Sequence, residues 1–146
     1  MSEHNFNLYA NLLSSELIKQ STLAIETSDG LFYTWQDLHR ASAMMANYLE
    51  SLNIAKGSRI AVQVDKSVEA VILYLATLRA GYVFLPLNTA YQSAELDYFI
   101  RNAEPAVVVC TSKNFSWLSK LSFIAGVEYV FTLNDDRTGT LLDRAS

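Results

Sequence analysis

Between Asp65 and Ile100 the chain reads DKSVEAVILYLATLRAGYVFLPLNTAYQSAELDYFI, and these 36 residues leave few folds open. Ser67 stands ahead of a run, Val68 to Ala80, that is apolar nearly all round. A helix of that kind needs cover on every side, so it is expected to be sandwiched rather than laid on a surface. Gly81 breaks the run, and Tyr82 to Leu87 then has the composition of a strand. Pro86 has no N–H for a ladder and marks that strand's end. Ser93 leads a second helix to Ala103, with Leu96, Phe99, Ile100 and Ala103 at inward spacing and Pro105 closing it. Helix and strand alternating at these lengths predict right-handed crossovers and parallel pairing.

The rest of the chain continues the alternation. Phe6, Tyr9, Leu12, Leu13 and Leu17 have helical spacing across Phe6 to Ile18. Thr22 to Glu26 and Leu31 to Tyr33 flank Ser28-Asp29-Gly30 as the strands of a hairpin. Thr34 with Asp37 forms a capping-box pattern. The helix it opens carries Trp35, Leu38, Met45, Leu49 and Leu52 on one stripe and Gln36, Arg40, Asn47 and Glu50 opposite, and Asn53 to Gly57 ends it. Arg59 to Val64 and Val107 to Cys110 read as strands, the latter short and apolar enough for a buried parallel position. A helix near Trp117 to Ile124, a strand near Tyr129 to Leu133 and a polar tail over 134–146 follow, with a helical piece at Leu141 to Ala145. The expected architecture is one α/β unit over 1–146, a mostly parallel sheet with helices on both faces.

Composition narrows the function classes. Hydrophobic residues make up 51% and charged ones 18%, which argues for a packed core and for some apolar surface facing another domain. The net charge is −4, and the basic residues stand singly from Lys19 to Arg144, so no nucleic-acid footprint exists. The single Cys110 rules out an internal disulfide and fits a reducing compartment. MSEHNFNLYANL has neither the pattern of a signal peptide nor that of a transit peptide. Ala70 to Leu87 is apolar, but Arg79 and Pro86 oppose a membrane span. These features together predict a soluble, cytoplasmic chain.

Chemistry is scarce. Backbone donors reach a phosphate only where glycines cluster, and Gly30, Gly57, Gly81, Gly126 and Gly139 are far apart. No Walker A loop, dinucleotide fingerprint or Ser/Thr/Gly-rich ATP loop can be built from them. His4 and His39 have no nucleophile motif or metal-ligand spacing around them. Cys110 reads as a small buried hydrophobe. Lys66 lies where a strand end meets a helix N-terminus and could meet an anion, but a lone Lys without glycines is a poor phosphate site. The simpler reading has Ser67 capping the helix and Lys66 in solvent. Tyr82, Phe84, Tyr91, Tyr98 and Phe99 alternate with aliphatic residues and read as core rather than as a pocket. Asp135-Asp136 reads as a solvated turn.

In order of parts and in wording, SVEAVILYLATLRAG and LPLNTAY resemble the N-terminal region of the adenylate-forming acyl-CoA synthetases, the AMP-binding ligases. The wording looks closest to their malonyl-CoA synthetase branch. TLAIET and LFYTWQDL resemble that family's opening hairpin and helix, with Tyr33-Thr34 and Leu38 in place. Gly57-Ser58-Arg59-Ile60-Ala61 resembles its G-D-R-V-A strand entry, with Ser58 departing from Asp. Glu69, Ala80-Gly81, Pro86, Glu95-Leu96 and Tyr98 also fall on the pattern. The resemblance implies a ligase that turns a carboxylate and ATP, with Mg²⁺, into an acyl-adenylate and then forms the CoA thioester. It places the ATP loop, the acid pocket and the catalytic lysine beyond Ser146, so no catalytic, cofactor-binding or metal residue is expected here, and no cofactor is expected to bind this segment alone. The expectation is an N-terminal fragment, inactive by itself, whose partner is the missing remainder of the ligase chain. Self-association through exposed apolar surface is expected too. The alternative is a free-standing α/β module that binds a protein or small ligand without catalysis.

Overall fold

The structure, a computed structural model, describes residues 23–28 and 30–146. The helix expected over Phe6 to Ile18, His4, and Asp29 of the hairpin turn lie outside the described residues. β1 (Leu23–Glu26) and β2 (Phe32–Thr34) pair antiparallel as a two-stranded sheet. Thr34 then opens α1 (Trp35–Ser51) with the predicted capping box. Its hydroxyl accepts from the Asp37 N–H at 3.1 Å, and the Asp37 carboxylate accepts from the Thr34 N–H at 2.9 Å. Leu38, Met45 and Leu49 are buried on the core stripe, while Trp35 and Leu52 at its ends are half-buried.

The main sheet alternates with helices: β3 (Arg59–Gln63), α2 (Val68–Ala80), β4 (Val83–Pro86), α3 (Ser93–Ala103), β5 (Val107–Cys110), α4 (Phe115–Ile124), β6 (Tyr129–Thr132) and α5 (Thr140–Ala145). A short 3-10 turn, Ser112–Asn114, precedes α4. Strand order is β4-β3-β5-β6, and every neighbouring pair is parallel. Alternation along the strands sorts the core into two faces. Ile60, Val62, Val107 and Val109 pack with Leu38 and Leu49 of α1, Leu73 of α2 and Leu141 of α5. Ala61, Val108 and Cys110 pack with Leu96 and Ile100 of α3 and Leu118 of α4.

Local chemistry sets the element ends. The Ser67 hydroxyl accepts from the Ala70 N–H at 3.0 Å, which caps α2 as the sequence predicts. Gly81 has φ 85°, a left-handed conformation that costs glycine nothing, and the Tyr82 N–H returns to the Thr77 carbonyl at 2.9 Å. Pro105 cannot continue a helix, so α3 stops with Glu104 left-handed at φ 48°.

Two expectations need correction. Helix α2 is not enclosed: it packs on the sheet and along α1, and these two neighbours leave its outer stripe open, with Val71 41% exposed. Tyr74 on that stripe meets Phe84 edge-on at 5.1 Å between ring centroids. Nor is the segment after Asn134 merely a polar tail, because Leu141 is fully buried in the first core. Thr140 and Thr132 hold that segment by exchanging bonds, each hydroxyl accepting the other's backbone N–H at 2.9 Å.

Candidate functional site

In an open parallel sheet, ligands collect beyond the strand C-termini where the connections diverge to opposite sides. Here β3 leads through α2 to β4, while β5, on the other side of β3, leads through α4 to β6. The divergence therefore lies at Gln63 and Cys110, which are paired in the ladder. Two cavities flank that point.

The first, about 550 Å³, lies beside the N-terminus of α2 and is lined by Tyr33, Lys66, Ser67, Glu69, Asp135 and Arg137 among others. Two cations face two carboxylates there, so the cavity has no net field for an anion. Ser67 is engaged as the cap and Lys66 is exposed. Glu69, 9% exposed, accepts a bond from the Tyr33 hydroxyl at 3.4 Å and so ties the hairpin to α2. Burial first, and then the Glu69 carboxylate, push the Tyr33 phenol above its usual range. This favours the simpler reading of Lys66.

The second cavity, about 630 Å³, opens on the opposite face of the sheet, between the segment after β4 and the 3-10 turn after β5. Tyr91, Gln92, Ser93, Lys113, Asn114 and Trp117 line most of it. Tyr91 is itself stacked on Phe99, with centroids 5.0 Å apart and the planes within 17°. Two half-buried aromatic rings and an exposed lysine lining one cavity suit a flat ring that carries negative charge. Gln63, the last residue of β3, is only 1% exposed and bonds to residues of both walls.

The aromatic residues read from the sequence as core therefore divide. Tyr82 is buried, Phe84 and Phe99 are half-buried, Tyr91 lines the cavity and Tyr98 is 64% exposed. Asp135 and Asp136 are exposed, Asp136 accepting from the Thr138 N–H, as expected of a turn. Cys110 is buried, and desolvation pushes its thiol up to about 12. His39 is half-buried on α1, where its carbonyl accepts from the Arg79 side chain. Among the described residues no cluster of His, Cys, Asp and Glu could hold a metal ion, and no helix is long and apolar enough to cross a membrane. Gln63, Lys113 and Trp117 were not singled out from the sequence. The one signal for them is Gln63 itself, a polar residue ending an otherwise apolar strand.

Comparison with known proteins gives a consistent answer. The profile of the AMP-binding enzyme family matches residues 19–143. The medium-chain fatty-acid–CoA ligase of Escherichia coli (strain K12) is 32% identical over 82 residues, which are 56% of this chain and 14% of that protein. Nonribosomal peptide synthetase gloA of Glarea lozoyensis is 31% identical over 101 residues, 69% of this chain and 1% of its own length. The crystal structure of apo MatB from Rhodopseudomonas palustris superposes with a TM-score of 0.91 and 44% identity over 97% of this chain. An ATP-bound structure of the same protein matches equally. The chain spans 28% of the length of MatB and a smaller share of the curated relatives it matches.

Proposed function

Because the chain belongs to the AMP-binding enzyme family, we propose that it is the N-terminal part of an ATP-dependent acyl-CoA synthetase of the malonyl type. The observation that carries this is the 44% identity, over nearly the whole chain, to MatB, a malonyl-CoA synthetase. In that reading the four-stranded sheet is scaffold for a larger ligase, which joins malonate or a methyl-substituted analogue to CoA with ATP and Mg²⁺. The work of these 146 residues is to present the strand C-termini to that reaction. The scattered glycines supply no set of backbone donors for a triphosphate, so the ATP phosphates are held by other parts of the ligase. CoA is the other nucleotide-bearing substrate of the family, and, in a departure from the expectation that no cofactor meets this segment, the cavity lined by Tyr91 and Trp117 suits its nucleotide end. The rings can flank the adenine, and Lys113 can meet a phosphate. The single buried thiol fits the reducing cytoplasm in which we place the protein.

The proposal is tested by exchange of segments. The chain replaces the matching segment of the Rhodopseudomonas palustris MatB, and CoA consumption is followed with malonate and ATP present. The chimera should form malonyl-CoA, while the 146-residue chain alone should give no acid-dependent pyrophosphate exchange. A folded chimera without activity argues against the ligase reading and for a free-standing module. Exchange above background from the chain alone overturns the claim that it is inactive by itself.

A further inference from the structure

Gln63 makes more polar contacts than a strand residue needs. Its Nε2 donates to the Asn88 carbonyl at 2.9 Å and to the Tyr91 carbonyl at 3.2 Å, and its Oε1 accepts from Asn114 Nδ2 at 3.4 Å. The first two partners belong to the segment after β4, and the third to the turn after β5. These are the two walls of the larger cavity. A buried primary amide, with both hydrogens and one oxygen lone pair engaged, thus spans the point where the connections diverge.

We propose that Gln63 is a positioning residue for the nucleotide-binding cavity, setting the distance between the Tyr91 wall and the Asn114–Trp117 wall. The proposal rests on the reading that the cavity takes the nucleotide end of CoA. Neither wall is an element of the sheet. The first wall is also held to β3 where the Leu87 N–H meets the Val62 carbonyl at 2.8 Å, and the second to Asn134 through Ser112, but among the described bonds it is the Gln63 amide that joins one wall to the other. An apolar residue of equal length would fill the same space but take the amide partner from the Tyr91 carbonyl and the Asn114 side chain, and leave the Asn88 carbonyl with the Tyr91 N–H alone. Without that tie the two walls would be free to shift relative to one another, and the present spacing between Tyr91 and Trp117 would be lost.

The experiment compares the 15N-labelled chain with Gln63→Met. Amide hydrogen exchange is read at Tyr91 and Asn114, with Ile60 and Val108 as controls in the sheet, and CoA is titrated while the Trp117 indole and Tyr91 amide signals are followed. The expected result is exchange faster by about tenfold at Tyr91 and Asn114, the size of one lost hydrogen bond, with the sheet controls unchanged and the CoA response weakened. A Gln63→Met chain that keeps parental exchange and CoA response overturns the positioning role alone. A parental chain whose Tyr91 and Trp117 signals ignore CoA at millimolar concentration overturns the ligand reading, and the proposal with it. Should Gln63→Met fail to fold, Asn114→Ser removes just one of the three bonds, and the same two readouts decide.

Discussion

At the scale of single residues, burial and capping rank the consequences of substitution. Leu73 is fully buried between the sheet and α1, so Leu73→Ala should cost about 2–5 kcal/mol by opening a cavity. Leu75, near the middle of the same helix, is slightly more exposed at 8% and should fall toward the lower end of about 2–5 kcal/mol. Ser67→Ala removes an observed cap and should cost about 1 kcal/mol. Lys66→Ala at the exposed neighbour should change stability by no more than about 0.5 kcal/mol. Urea denaturation of the four variants checks the order, and a Lys66 effect as large as that of Leu73 would break it. Cys110 yields a prediction in pH. Its thiol is held up at about 12 in the folded chain against an ordinary value of 9.0, so between those values the native state keeps a proton that the unfolded state releases. The resulting stability is fully present below pH 9 and is lost as the pH rises toward 12. The native thiol should therefore resist alkylation at pH 8 and react only on unfolding, which a mass-spectrometric labelling course in urea would display.

Among the elements, the joints decide how the layers hold. Lys56, between α1 and β3, donates to the Ala80 carbonyl at 2.6 Å and to Glu50 at 3.0 Å. It also lies 5.2 Å from the Tyr82 ring centre, and so ties the C-termini of α1 and α2 together. The Lys56–Glu50 ion pair is largely exposed, so its own contribution is small, and the bond to the otherwise open helix carbonyl matters more. Gly139, ahead of α5, has no room for a side chain: a Cβ there would stand 2.4 Å from the Thr132 carbonyl oxygen. Gly139→Ala should push α5 off the sheet and expose Leu141, whereas Gly81→Ala should cost only about 1 kcal/mol through its left-handed φ. Near-parental melting of Gly139→Ala would contradict this. Among the described residues strand β4 has a neighbour on one side alone, and Pro86 at its end leaves little for another strand to pair with.

For the whole molecule, the apolar surface is the telling property. Phe32, Met44, Val71, Tyr74 and Val83 are all exposed, and they are spread over the hairpin, α1, α2 and β4. A two-stranded sheet such as β1–β2 is marginal alone and gains stability from whatever covers it. As a segment of a longer ligase the chain would have these residues covered by the remaining polypeptide. On its own it should bind a hydrophobic dye in the native state and associate as its concentration rises. Light scattering and dye fluorescence below the melting transition test this. A monodisperse monomer that melts sharply and ignores the dye would favour the free-standing module instead.

The sequence by itself determined the elements and their order, because capping boxes, Gly and Pro stops and the periods of apolar residues act over a few neighbouring positions. Thr34 with Asp37, Ser67, Gly81, Ser93 and Val107 to Cys110 all fall where local chemistry put them. Family membership was legible in the same stretch, since the wording around Ser67 to Ile100 is specific. What the tertiary structure alone decided is which side chains share a space. Gln63, Tyr91 and the Asn114–Trp117 stretch come from three separate segments, and no local rule links them. They meet because the strand order carries β5 past β3 to its far side, which brings two loops distant in the chain onto one amide. Leu141 is buried for the same reason: its environment is set by the far edge of the sheet and not by the polar residues around it.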